Sequence, residues 1–229
     1  MTTERLLALL QFTDGLFPAG GFAHSFGLET YVQAGTVRDR EGLEAFISAH
    51  LEGSSGPADA VAAALAARFA ADRDLTAIVD LDARLDAMKL VPEFRAASVQ
   101  MGRQTLRVAS ALGANAFVAA LARAVETEES HGHHAVIFGA VTGDAGLDPQ
   151  SVAAGFLHST ATLLINAGLR LLAIGQRDGQ LTLARLRPLI VRLAAEAAAL
   201  GPDDLWSFTP ALDIAGIRHA RLEARLFRS

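Results

Sequence analysis

Cysteine is absent from all 229 residues. That absence removes disulfides, thiolate nucleophiles, iron–sulfur clusters and cysteine-based zinc sites together, and it fits a cytoplasmic protein. Lysine is nearly absent as well. Lys89 is the only one, so almost all the cationic charge is arginine. Its setting, Ala87-Met88-Lys89-Leu90, holds no glycine loop, whereas a P-loop needs G-x-x-x-x-G-K-[ST], so the chain is no P-loop nucleotidase. The dinucleotide fingerprint G-x-G-x-x-G and the hydrolase elbow G-x-S-x-G are missing too. There is no basic excess: 20 Lys and Arg stand against 25 Asp and Glu, a formal net charge of -5. This argues against a nucleic-acid partner. No signal peptide is read at the start, where Glu4 and Arg5 precede only a short apolar run.

What is present is apolar. The composition is 51% hydrophobic and 20% charged, with a mean hydropathy of +0.30. Whole-chain disorder is excluded, because disorder needs low hydrophobicity and high net charge. The length suits one domain that needs no covalent staples. The surplus of apolar residues points to a further buried surface, such as an oligomer or partner interface. The best stretch without formal charges, Pro149–Leu169, contains Gln150, Ser151, His158, Ser159, Thr160, Thr162 and Asn166. It is too polar for the hydrocarbon core, so it reads as a buried helix and not as a membrane span.

The periodicity is helical nearly everywhere, and the fold class expected is all-α: a single helical-bundle domain of about ten helices, residues 1–229, with a partner-binding C-terminal tail over Thr209–Ser229. Helices are expected over Arg5–Thr13, His24–Ala34, Asp39–Leu51, Ala58–Ala71, Leu75–Lys89, Pro92 to about Leu112, Ala116–Thr127, His134–Val141, Pro149–Ile174 and Thr182–Leu200. Loops are expected at Asp14–Gly21, at the GSSG run Gly53–Gly56, at Gly143–Asp148 and at Gly175–Gly179, with Pro188 a kink or break. Strand signals are scarce, and no fixed-period repeat is visible. From Gly201 to Ser229 the character changes to a tail rich in arginine and interleaved with Leu222, Leu226 and Phe227. Read as a helix, it has an apolar stripe and an arginine face, the composition that interfaces enrich; the plain alternative is a solvated terminus.

Three constellations bear on chemistry. His131-Gly132-His133-His134 places three imidazoles in four positions, and imidazole is a common ligand for nickel, zinc or copper. Neighbouring histidines on a helix diverge, however, so a metallochaperone using them directly is the alternative reading and a polar connector the plain one. Phe17-Pro18-Ala19-Gly20-Gly21-Phe22 is a tight turn, with Gly20 and Gly21 at positions that a side chain would obstruct. Asp213 and His219 supply an acid and a base for a helical enzyme, although spacing alone does not pair them.

Leu16-Phe17-Pro18-Ala19-Gly20-Gly21-Phe22-Ala23-His24-Ser25-Phe26-Gly27-Leu28-Glu29 resembles the N-terminal signature of the UreF family of urease accessory proteins. Arg95-Ala96-Ala97-Ser98-Val99-Gln100-Met101-Gly102-Arg103, His133–Gly139, Asn166, Gly175-Gln176, Pro210–His219 and Arg225-Leu226-Phe227-Arg228-Ser229 are similar to further family segments, in order. The resemblance runs from about Leu6 to Ser229. It implies an all-α protein without catalysis, cofactor or resident metal. Such a protein acts in nickel insertion into urease apoprotein, forms a homodimer, and bridges a UreD/UreH-type scaffold and a UreG-type GTPase. It further implies partner contacts at Pro18, Gly20, Gly21, His24, Ser25, Gly27 and Glu29, at Arg95, Gln100, Arg103 and Gln176, and at Asp213, Arg218, His219, Arg225, Leu226 and Phe227. Arg95, Arg103 and Arg218 are the candidates to act on the GTPase or on assembly, since a guanidinium offers a planar fork to carboxylate or phosphate. Two departures stand out: His24 replaces a common tyrosine, and Leu172-Ala173-Ile174 lacks a common proline.

Overall fold

The computed structural model describes residues 1–113 and 115–229. Among them the chain forms eleven α-helices and no strand: α1 Thr3–Thr13, α2 Leu28–Gln33, α3 Arg40–His50, α4 Val61–Ala71, α5 Leu75–Met88, α6 Pro92–Gly113, α7 Ala116–Glu126, α8 His134–Asp144, α9 Pro149–Leu171, α10 Gln176–Ala199 and α11 Pro210–His219. Several helix starts are written in the sequence as caps. Asp39, Asp74, Asn115 and Asp148 each accept from backbone N–H groups two or three residues on, at 2.8–3.0 Å. Each such cap satisfies a donor that the first turn would otherwise leave unpaired.

The centre is α8, in which Ala135 to Gly143 are all buried. It lies directly on α4. A Cβ on Gly139 would meet the Ala63 carbonyl oxygen at 2.2 Å, and one on Gly143 the Ala67 Cα at 2.5 Å. Only glycine against alanine lets two helix backbones come this close. The alanine-rich α4, buried from Val61 to Ala67, is the matching surface. Around this pair stand α6, α9 and α10. Helix α9 has the length and composition of a membrane span, yet 56% of its most apolar window is buried inside the fold.

Four expectations about boundaries are corrected. The GSSG run is no loop: Leu51–Ala60 is a π-helical stretch that joins α3 to α4 without a break. Pro57 has no N–H and cannot continue an α ladder, and the wider turn accommodates it. The strap after α10 uses the carbonyls of this stretch, with Phe208 N–H donating to Gly53 O at 2.9 Å and Trp206 N–H to Pro57 O at 3.3 Å. Gly175–Gly179 is not a turn either. Helix α10 begins at Gln176, where Asp178 accepts from Gly175 N–H at 3.0 Å, and it runs through Pro188. Helix α2 begins at Leu28 and not at His24, because Phe26 (φ 47) and Gly27 (φ 87) are left-handed. The tail beyond His219 is not helical, so the Leu222–Leu226 stripe does not form.

Candidate partner-binding surface

The C-terminal segment folds back on its own chain. The Ser229 carbonyl oxygen accepts from Ser25 N–H at 2.6 Å, Phe26 N–H at 3.0 Å and the Ser25 hydroxyl at 2.8 Å. The left-handed Phe26 turns successive N–H groups toward one oxygen, as in an anion-binding nest. The Ser229 hydroxyl lies 2.9 Å from His24 Nδ1. Burial first, and then the nearby Arg228 guanidinium, push the His24 ring down to about 4. Phe227 is buried beneath the Arg170 guanidinium, 4.4 Å from its ring centre.

Glu29 anchors the same segment. It accepts from Leu226 N–H at 2.7 Å and Phe227 N–H at 3.1 Å. His219, fully buried, lies 3.0 Å from Glu29 and 2.7 Å from Glu93. Both ring nitrogens of His219 are thus engaged by carboxylate oxygens. Arg225 completes the set 2.9 Å from Glu93. Burial alone would raise the Glu29 carboxyl. The hydrogen bonds from Leu226, His219 and Phe227 outweigh it and hold the group below its ordinary value. The structure therefore brings together His24, Ser25, Gly27, Glu29, His219, Arg225 and Phe227 as the bed and clamp of the tail, not as a frayed terminus. Leu226 remains half exposed at its edge.

Beside the tail opens a groove of about 780 Å³. The loop at Pro18, Gly20 and Phe22 forms one side, the α6 face Gln100, Arg103, Gln104 and Arg107 another, and Arg170, Leu226 and Arg228 close it. Four guanidiniums line it and no carboxylate does. Those whose partners are seen are held by neutral acceptors: Arg103 donates to His131 O at 3.2 Å, Arg107 to Gln104 Oε1 at 2.7 Å and Arg170 to Phe22 O at 2.9 Å. None of the four forms an ion pair among the described residues, whereas Arg84, Arg95, Arg185, Arg192 and Arg225 all do. Gly20 takes φ +86 at the rim, a conformation that side chains rarely adopt, and Phe22 is 80% exposed there.

The other expected residues lie elsewhere. Arg95 is spent internally, forking onto Asp86 at 2.5 and 2.7 Å. His133 Nε2 donates to the same carboxylate at 2.9 Å, and its Nδ1 accepts from the Ser98 hydroxyl at 3.0 Å. Burial of Asp86 opposes its ionisation, but Arg95 and His133 prevail and bring it to about 2. Asp82, fully buried, accepts from Ser130 Oγ, Gly132 N–H and His133 N–H at 2.8–2.9 Å and so fixes the connector.

The geometry gives the histidine-cluster reading no support. Both His133 nitrogens are engaged and His131 is exposed. His134 packs on Phe138 and Phe156, with burial lowering it to about 4. No group of three His, Asp or Glu side chains able to hold a metal is found among the described residues. Asp213 faces an interior cavity shared with His50, Asp59 and Lys89, and burial raises its carboxyl. His219 is taken by the two glutamates and is no base for Asp213. Gly21 lines a smaller neighbouring cavity, while Gln176 and Arg218 are exposed outside both clusters.

Sequence reasoning missed Arg107, Arg170, Asp86 and Glu93, and it named Arg228 only as part of the tail. The Gln100-Arg103-Gln104-Arg107 pattern, at i, i+3, i+4 and i+7, marks one helix face and was readable. Nothing local ties Arg170 and Arg228 to it.

The UreF family model matches residues 37–187 of this chain. A urease accessory protein UreF of Rhizobium leguminosarum bv. trifolii is 39% identical over 238 residues, covering the whole of both chains. One from Xanthobacter autotrophicus is 36% identical over 98% of this chain and 91% of its own length. One from Bacillus sp. (strain TB-90) is 30% identical over 99% of this chain and all of its own.

Proposed function

Because the chain belongs to the UreF family of urease accessory proteins, we propose that it is a non-catalytic adaptor in urease maturation. In this reading it joins a UreD/UreH-type scaffold to a UreG-type GTPase while nickel, the cargo, passes to urease apoprotein. It acts in the cytoplasm as a homodimer within that assembly. Pro18, Gly20, Gln100, Arg103 and Leu226 contribute to the contact face.

The observation that carries the reading is the arginine groove. A chain of net charge -5 keeps four guanidiniums side by side with no carboxylate in the lining. Arginine forks left open in this way suit acidic groups presented by another protein, and the exposed Phe22 and Leu226 add apolar contact at the rim.

The test is co-expression with the scaffold, the GTPase and urease. The double variant Arg103→Gln, Arg107→Gln is expected to lose co-purification of a partner and urease activation, with unchanged circular dichroism and melting temperature. Full retention of assembly and activation in that variant removes the groove from the contact face.

A further inference from the structure

A second groove, of about 490 Å³, opens against the exposed side of α3. Its floor consists of the small residues Gly42, Ala45 and Ala49, which recur every three to four positions and leave a channel along the helix. Phe46 and Val37 wall it on one side, and Thr209–Leu212, the opening turn of α11, on the other. No Asp, Glu, Lys or Arg lines it. The volume falls within the range of small-molecule sites, which are mostly apolar with a few placed polar groups.

Two polar features stand in those walls. The first is His50, 7% exposed and stacked on Phe46. Its Nδ1 is buried with no hydrogen-bond partner, and a buried polar atom left unpaired carries a desolvation cost that a ligand can relieve. Burial keeps this ring neutral at pH 7, lowering it to about 4. The second is the N-terminus of the ten-residue α11, where Thr209 makes no side-chain cap and Pro210 occupies the first turn. Uncapped N–H groups and the positive end of the helix favour an anion there.

We propose that this groove is a binding site for a small apolar carboxylate, its body along the α3 floor and its carboxylate between the α11 N-terminus and His50 Nδ1. The apolar walls select the body, and the two polar features select the head. An amine meets the positive helix end unfavourably, and a neutral alcohol gains less from it.

The experiment titrates the full-length, nitrogen-15-labelled chain with sodium octanoate below its micelle range, with octanol and octylamine as parallel arms. The expected result is saturable one-site binding, with amide shifts centred on Ala45, Ala49, Ala211 and Leu212. Octanoate should bind about tenfold tighter than octanol, the worth of one charged hydrogen bond, and octylamine weakest. Ala49→Phe fills the channel from an exposed position and should abolish binding while circular dichroism and melting stay unchanged. His50→Leu should bring octanoate down to the octanol level. Equal affinity for all three probes, binding that survives Ala49→Phe, or shifts scattered over the surface would overturn the proposal. So would a groove that binds no octanoate but becomes protected from hydrogen exchange on complex assembly, because the occupant is then a partner side chain. None of these readouts uses urease activation, so the site stands or falls separately from the adaptor reading.

Discussion

Asp86 and the arginine groove are two polar regions built partly on the same helix, and they are opposites. Around Asp86 every charge is answered from within: Arg95 forks onto it, His133 donates to it, and Ser98 holds the far side of that ring. On the groove face of α6, Arg103 and Arg107 meet only a carbonyl and an amide, and Arg170 and Arg228 come to stand with them without bringing a carboxylate. Arg95 and Arg103 are two turns apart in sequence and of the same chemistry. One is used up by the fold and the other is left over. Satisfied charge marks structure, and unsatisfied like charge, collected at a groove, marks a surface meant for something else.

The largest expected effect tests how far the interior depends on neutral or internally paired groups. His24, His50 and His134 are each lowered from 6.5 to about 4. Unfolded rings take up protons below pH 6.5, while the folded ones stay neutral until about 4. Stability is therefore full above pH 6.5 and falls as pH drops toward 4. At pH 5 each histidine costs about 2 kcal/mol relative to pH 7, and urea unfolding at the two values measures the sum. An unchanged midpoint would contradict the burial assigned to all three. Asp86 adds nothing in that window. Its depressed carboxyl contributes above 3.8 and loses its contribution only as pH falls toward about 2.

Next comes removal of an anchor from each region. Asp86→Ala leaves Arg95 and His133 unanswered and should cost about 3 kcal/mol, with partner binding per folded molecule intact. Glu29→Ala should cost a similar amount and speed hydrogen exchange across Leu222–Ser229 in particular, because Leu226 and Phe227 N–H lose their acceptor. Exchange unaltered there would mean that the nest around Ser229 alone holds the tail.

A smaller effect belongs to Gly20→Val. No atom lies within 4 Å of an added Cβ, so the penalty is the φ of +86 alone, about 2 kcal/mol, read as a lower melting temperature. The smallest effect on stability, within about 0.5 kcal/mol, is expected for Arg103→Gln with Arg107→Gln, although this pair should lose the partner. Arg95→Gln should do the reverse, disturbing the connector at His133 while leaving binding in place. If Arg95→Gln abolishes assembly and the groove pair does not, the comparison is inverted.

Much of the architecture was legible in advance. Helix class and most helix spans depend on local rules, and so did the reading of Pro149–Leu169 as a buried helix. The errors were also local rules, overridden by packing. Glycines that ordinarily signal turns sit inside helices at Gly53, Gly56 and Gly179. The first two belong to a π-helical stretch whose carbonyls receive the strap, and the third is buried against Ile165 and Leu169 of α9. For the surface, the N-terminal loop, Gln100, Arg103, Leu226 and Arg228 were named, but as separate motifs without a common place, and Arg107 and Arg170 were not named.

The sequence by itself determined that this chain is helical, closed to thiol and P-loop chemistry, and a relative of the UreF proteins, because composition, periodicity and motif order are properties of the chain read in line. Only the tertiary structure decided which arginines are free. A guanidinium looks the same in sequence whether a carboxylate waits opposite or not. Glu29 and Glu93 reach the tail from positions 126 to 198 residues away, and Arg170 and Arg228 join α6 from other elements. Charge pairing across such separations is set by how helices pack, and no local pattern records it.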